Sequence, residues 1–503
     1  MNIVEETKSK INPHTDLKQK TISGFFWRLL ERFFAQAVIF IVTVILARIL
    51  MPQEFGLIAI VNVFVAVADV LITSVFSIAL IQKKQADDVD FSSAFYASLV
   101  LAAFLYVVVF FCAPLISSLY KNELLTPVIR VTGIKFFISA VNSVQQAYVS
   151  RKMIFKKFFF ATLLGTVVSG VVGIILALNG AGVWALVAQL LTNPLIDTII
   201  LLISVKWRPG ICFSFERLKS LFDYGWKIMC SYLAGTFFNR LSSLVIGARY
   251  SATQLGYYNR GESFPSLVTS NISATLESVL FPAISKYQDA KEKMKSSVRR
   301  SISLANYILM PMLFGLAAVA DHLILLLLGE KWIMAIPFVQ IFCLQGITLL
   351  LSNVNLLVIK ACGRSDILLG IEFVKKPVLL AVVLLAARVS PIFLALCVAI
   401  YSYFALFIDA FPNKKLINYS FWEQLSDVKN SFFLSATMGA AVWGLGRIPL
   451  DNLFVLPLQI ALGSAIYVGM SLLSRNEEFY YLKEMIGERI RKVGNTSCKG
   501  DGV

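Results

Sequence analysis

Charged and polar residues set at helical spacing inside apolar stretches are the part of this chain that could do chemistry. Arg28, Arg32 and Gln36 follow at intervals of four and share one helical face, which Thr43 extends. Lys227, Ser231 and Asn239 form a comparable stripe, with Arg240 beside it. Asn62, Asp69 and Thr73 fall on one face, as do Ser139, Ser143 and Gln146, with Asn142 adjoining. Thr348, Ser352 and Asn355 repeat that last pattern 209 positions further on. Asp69 and Glu277 are carboxylates well inside apolar segments, where desolvation would bring them toward proton exchange unless an Arg or Lys pairs with them. This set can hold charge and hydrogen-bond hydroxyl groups. It contains no metal-ligand spacing, no phosphate-binding glycine loop and only two histidines, His14 and His322, so binding and charge movement are favoured over bond-making.

The elements that must position these residues are membrane helices. A bilayer core of ~30 Å needs roughly 20 apolar residues per helix. Fourteen apolar stretches meet or approach that length: 24–50, 55–81, 92–118, 124–149, 155–178, 181–204, 222–248, 254–284, 298–320, 333–359, 366–387, 391–411, 430–446 and 452–474. With 57% hydrophobic residues, the chain reads as an all-α polytopic membrane protein of about fourteen transmembrane helices. The opening residues are polar and show no cleavage site, so the first span is expected to act as an uncleaved insertion signal.

The net charge of +16 could suggest a nucleic-acid partner, but its placement points to topology. Basic residues gather in alternate gaps, as in Lys83 and Lys84, Arg151 to Lys157, Lys206 to Lys219, Lys286 to Arg300, and the tail. The other gaps hold little beyond Arg48, Lys121, Arg249, Lys331, Arg388 and Arg447. The positive-inside rule then places both termini and the basic loops in the cytoplasm, and makes membrane lipids, not nucleic acid, their partners. Nine further bases lie within or at the edges of spans: Arg28, Arg32, Arg130, Lys135, Lys227, Arg240, Arg260, Lys375 and Lys376. A charge at a helix centre costs ~2.5–3.5 kcal/mol on insertion scales, so such groups snorkel outward or face a bundle interior or water-filled path.

The chain is also duplicated. The run from Leu46 to Gly56, Leu-Ala-Arg-Ile-Leu-Met-Pro-Gln-Glu-Phe-Gly, echoes the run from Ile246 to Gly256, and Pro127 and Pro337 open corresponding spans. Two parallel repeats of six helices follow, with spans thirteen and fourteen as an appended pair. The expected layout is an arm at 1–21, a first bundle at 22–204, an amphipathic linker at 205–221 and a second bundle at 222–412. The appended pair at 413–474 and a tail at 475–503 complete it. Matching polar stripes in both halves favour a shared cavity; the alternative for any one stripe is hydrogen-bonded glue between helices.

Several runs are similar to the polysaccharide transport family of lipid-linked oligosaccharide flippases. They include Leu46 to Gly56, Ala79 to Lys84, Gly182 to Ala188, Trp207-Arg208-Pro209, Leu221 to Gly225, Leu255 to Tyr258, Leu280 to Ser285 and Leu328 to Trp332. Residues of about 22 to 412 carry the resemblance. It implies two six-helix bundles around a cavity, alternating access, no cofactor and no enzymatic activity. The implied cargo is an undecaprenyl-diphosphate-linked repeat unit for surface or exopolysaccharide biosynthesis, such as lipopolysaccharide, in the inner (plasma) membrane. A polysaccharide polymerase and glycosyltransferases would be pathway partners. On that resemblance Arg28, Arg32, Lys227 and Arg240 are expected to hold the diphosphate. Asn62, Ser139, Asn142, Gln146, Asn239, Thr348, Ser352 and Asn355 would bind the sugars, and Asp69 and Glu277 would couple to ions. Arg28 and Arg32 could instead be interfacial anchors paired with Glu31. The rival functions are a multidrug or toxin exporter of the same superfamily and a non-transporting enzyme or scaffold of glycan assembly.

Overall fold

The computed structural model describes residues 34–485 apart from 84, 153, 289, 449 and 450. All regular structure among them is helical. The helices are α1 (Phe34–Ile49), α2 (Pro52–Gln82), α3 (Asp88–Leu119), α4 (Leu125–Thr132), α5 (Lys135–Lys152), α6 (Phe155–Leu178), α7 (Val183–Ser204) and α8 (Phe215–Arg249). They continue as α9 (Ala252–Ser285), α10 (Lys291–Leu327), a 3-10 turn (Glu330–Ala335), α11 (Ile336–Ala361), α12 (Ser365–Ala386) and α13 (Pro391–Ala410). The last are α14 (Asn413–Ile417), α15 (Phe421–Leu445) and α16 (Asn452–Leu473). Over its described residues, each expected span falls largely on helix. Among the described residues, however, nine helices are long and apolar enough to cross a membrane, against the fourteen expected. The first span is described only over Phe34–Ile49. The fourth is broken by a turn at Gly133 into α4 and α5, and α5 carries Lys135, Arg151 and Lys152. The seventh, eleventh and thirteenth, on α8, α12 and α15, are diluted by polar and charged side chains.

Contacts divide the chain into two compact units, Met1–Gly256 and Tyr257–Val503. In the first, α8 packs along α2. Glycine permits that approach. A Cβ on Gly225 of α8 would lie 2.0 Å from the carbonyl oxygen of Val75 on α2, and one on Gly247 would meet the Tyr120 ring at 2.8 Å.

The segment 205–221 is not the single amphipathic helix expected. Pro209 disfavours helix at the residue before it, and residues 205–214 are non-helical; Phe215 onward is the first part of α8. This stretch is docked on α3. The amide of Gly210 donates to Ser92 Oγ at 3.0 Å and that of Ser214 to Ser93 Oγ at 2.9 Å, while Tyr96 OH donates to the Gly210 carbonyl at 3.2 Å. Trp207 stacks on Tyr148 and contacts Phe91. Lys83 pairs at 2.6 Å with buried Asp90, and Arg217 stands 3.5 Å from Asp87. Asp87 caps α3, and the backbone amide of Asp90 holds its carboxyl below the usual range.

In the second unit the appended helices α15 and α16 pack against α10. Tyr307 OH donates to Ser471 Oγ at 2.7 Å, and Tyr467 OH donates to the Tyr307 carbonyl at 2.8 Å. Paired hydroxyls of this kind hold helices together where the surrounding medium offers no hydrophobic drive between them.

Candidate functional site

Polar faces of α2, α5, α6 and α7 converge in the first unit on a cavity of about 980 Å³, which α1 and Tyr232 of α8 help to wall. That is the upper end of the range for small-molecule pockets. From α2 come Asn62, Asp69, Thr73 and Ser77, and from α5 come Lys135, Ser139, Asn142, Ser143 and Gln146. Thr162, Thr166 and Ser169 of α6 and Gln189, Asn193 and Asp197 of α7 add to them.

Charge is arranged around one pair. Lys135 Nζ lies 2.6 Å from Asp69 Oδ2, and Ser139 Oγ donates to Asp69 Oδ1 at 2.9 Å. The turn at Gly133 starts α5 afresh, which puts Lys135 in its first turn, where a cation opposes the helix dipole. The Asp69 carboxylate compensates it. Deeper in the wall, Asn142 Nδ2 donates to Asp197 Oδ2 at 2.7 Å, and Gln146 adjoins the same carboxylate. Asn193 Nδ2 reaches Thr166 Oγ1 and Ser169 Oγ, each at 3.4 Å. The described lining thus carries one lysine against two aspartates, amid many hydroxyls and amides. Such a surface suits neutral polyhydroxyl groups better than it suits a diphosphate.

The sequence-derived residues divide accordingly. Asn62, Asp69, Ser139, Asn142 and Gln146 are brought together in this cavity. Lys227, Asn239 and Arg240 lie exposed on α8 and do not line it. Arg28 and Arg32 lie outside the described residues. Glu277 lies on the exposed surface of α9 and does not line this cavity.

Thr348, Ser352 and Asn355 have a different fate from their counterparts on α5. Thr348 Oγ1 meets Ser402 Oγ of α13 at 2.9 Å, and Ser352 adjoins Asp409 of the same helix. Asn355 Nδ2 donates to Gln424 Oε1 at 2.8 Å; its own Oδ1 accepts from Asn413 at 2.6 Å and from Gln424 at 2.9 Å. Gln424 comes from α15, an appended span with no counterpart in the first unit, so the amide cluster that buries Asn355 has no equivalent around α5. Asn355 packs as hydrogen-bonded glue. Replacing Asn355 with Leu should lower stability by about 2 kcal/mol, because two buried amides lose their partner. Thermal unfolding of the membrane-extracted protein checks this, and a variant as stable as the native chain would contradict a packing role for Asn355.

Several other embedded bases have local partners. Arg130 lies 4.0 Å above the Phe110 ring and Lys375 pairs with buried Asp409 at 2.9 Å, while Lys376 faces Glu372 at 3.3 Å. Sequence reasoning missed Asp197, Asn193 and Gln189, although their spacing of four on α7 was a stripe as regular as those it used. Thr162, Thr166 and Ser169 on α6 carried a weaker signal, since hydroxyls in apolar helices often bond their own backbone, as Thr166 does at 2.7 Å.

The wall of this cavity beyond α1 lies inside residues 45–337, which match the family described as polysaccharide biosynthesis protein. The lipopolysaccharide biosynthesis protein WzxC of Escherichia coli is 25% identical over 359 residues, 70% of this chain and 72% of that protein. The succinoglycan biosynthesis transport protein ExoT of Rhizobium meliloti is 25% identical over 343 residues, 68% and 69% respectively. Among solved structures, the lipid II flippase MurJ in an inward closed conformation superposes with a TM-score of 0.66. It is 14% identical and the match covers 91% of this chain and 99% of that one, a likeness of fold. With more than half its length matched, this multi-pass membrane chain belongs to the polysaccharide biosynthesis protein family.

Proposed function

We propose that this chain is a flippase that carries undecaprenyl-diphosphate-linked oligosaccharide repeat units from the cytoplasmic to the outer leaflet by alternating access. It would serve surface polysaccharide biosynthesis and act as a transporter, not an enzyme. The observation that carries the reading is the 980 Å³ cavity in a membrane-embedded unit, lined by the hydroxyl and amide side chains that sugars require. Relatives named for lipopolysaccharide biosynthesis and succinoglycan transport support a glycan cargo over a cationic drug. In this reading Asn62, Ser139, Asn142 and Gln146 contact sugar rings. The diphosphate is held by Lys227 and Arg240 on α8, outside the described cavity lining, and by Arg28 and Arg32, which lie outside the described residues, while the polyprenyl tail stays in lipid.

The basic asymmetry of the loops supports placing both termini in the cytoplasm of an inner-membrane protein. An anionic head group moving outward across an inside-negative membrane then gains ~2.3 kcal/mol per charge per 100 mV, so the potential itself favours export. Deletion of the gene tests the proposal. Lipid-linked repeat units should accumulate on the cytoplasmic leaflet while surface polysaccharide disappears, and the intact chain should restore both. Normal surface polysaccharide in the deletion strain, with no stranded intermediate, would overturn it.

A further inference from the structure

A second cleft, of about 670 Å³, lies within the second unit, and the transport reading gives it no task. Its walls are the early turns of α10 and α15 and the segment that follows α16, from Ser474 to Tyr481. Three marks put it at the membrane surface. α10 is basic up to Arg300 and largely apolar beyond it. Trp422, at the start of α15, is 73% exposed and Tyr480 is 44% exposed, as aromatic residues are at head-group level. The apolar run of α16 ends at Leu473, which is 87% exposed beside the cleft.

Charge in the cleft is balanced but mostly unpaired. Arg299, Arg300 and Arg475 are set against Asp427, Glu477 and Glu478. Arg299 is taken by Asp427, which also accepts the Tyr419 hydroxyl at 2.7 Å. Among the described residues the other four form no ion pair. The Arg300 guanidinium rests 3.7 Å above the Tyr481 ring. Arg475 makes the turn out of α16 at φ 48°, in the left-handed region where glycine is the usual residue, so the position keeps a long cation at some backbone cost. Two cations and two anions thus share one cleft, too far apart to neutralise one another. A simple anion would meet both glutamates there, and a simple cation both arginines. A ligand carrying both signs satisfies all four.

We propose that this cleft binds the head group of a phospholipid bearing a primary amine, with its phosphate on Arg300 and Arg475 and its ammonium on Glu477 and Glu478. Guanidinium groups match phosphate oxygens in pairs. A primary ammonium donates hydrogen bonds to carboxylates, which a quaternary ammonium cannot do. Ser303, Asn430 and Ser474 offer hydroxyl and amide groups to the glycerol and the remaining phosphate oxygen. The acyl chains follow the exposed end of α16 into the bilayer. Because α15 and α16 are the appended pair, the site belongs to the second unit alone.

The purified full chain, stripped of lipid, is tested by native mass spectrometry with phosphatidylethanolamine, phosphatidylcholine and phosphatidylglycerol of identical acyl chains. The native chain should retain one phosphatidylethanolamine roughly tenfold more tightly than either of the others, a difference of about one charge-assisted contact. Arg300→Gln with Arg475→Gln should weaken every phospholipid. Glu477→Gln with Glu478→Gln should weaken phosphatidylethanolamine by about tenfold and leave phosphatidylcholine as it was, a split that misfolding would not produce. Either double variant is a sufficient test should the other fail to fold. Equal retention of the three lipids by the native chain, or phosphatidylethanolamine binding unchanged in the variants, overturns the proposal. So does glycerophosphoethanolamine binding as tightly as the lipid, which would make the ligand a soluble one. The gene-deletion outcome is unaffected either way, because this site does not rest on the transport reading.

Discussion

Replacing Lys135 with Ala is expected to abolish export of the lipid-linked glycan and to destabilise the protein by about 1 kcal/mol, since the pair it breaks is only part-buried, Lys135 being 17% and Asp69 26% exposed. Lys135 is the cation of the described cavity lining, and its ammonium lies 2.6 Å from Asp69 at 17% exposure. Without it two carboxylates face the cavity uncompensated, and an anionic cargo is repelled. The double variant Lys135→Ala with Asp69→Asn separates the two effects. Removing both charges should restore most of the stability, since a part-buried pair contributes little net to folding. It should not restore export. Lys135→Arg should fold and export partially, because the longer guanidinium cannot keep both the Asp69 contact and the helix start. Thermal unfolding in detergent and surface-glycan staining check these outcomes. Full export by Lys135→Ala would mean that the pair is structural only.

The second large effect concerns space. Thr73 lines the cavity, and its hydroxyl bonds only its own helix, to the Asp69 carbonyl at 2.7 Å. Thr73→Val should therefore be nearly silent. Thr73→Trp should fold, because the cavity has room for an indole, yet reduce export by up to about a hundredfold, the loss that can follow when bound groups are misplaced by an ångström. Phe104→Trp, at a position 62% exposed on α3, is the control and should export normally. Equal export by Thr73→Trp and Thr73→Val would remove the cavity from the transport path.

The membrane class, the helices and half of the cavity were legible in the sequence, because a polar residue in an apolar helix is conspicuous and its spacing assigns a face. Asn62, Asp69 and Thr73 on one helix and Ser139, Asn142 and Gln146 on another could be placed together that way. Asp197 is equally conspicuous, spaced by four from Asn193 and Gln189, but it belongs to none of the stripes that recur in both halves. What spacing could not tell was what the faces meet. Asn355 occupies the same register as Gln146, yet one is buried by Gln424 of an appended helix and the other opens on a cavity. Partners supplied by α15 depend on packing that no local pattern encodes. Pro209 marks the break in 205–221, because a proline biases the residue before it away from helix. Lys135 was visible as an embedded base, but its tie to Asp69 spans 66 positions and needed the fold.

The most direct test of glycan passage through this cavity is photocrosslinking in cells making the native lipid-linked repeat unit. A benzophenone amino acid placed at Asn62, Gln146 or Gln189 should capture the lipid-linked oligosaccharide, and the adduct should vanish when the first glycosyltransferase of the pathway is absent. The same probe at Thr348 or Asn355 should capture none. Crosslinks at Thr348 and Asn355 with none at Asn62, Gln146 and Gln189 would contradict the account.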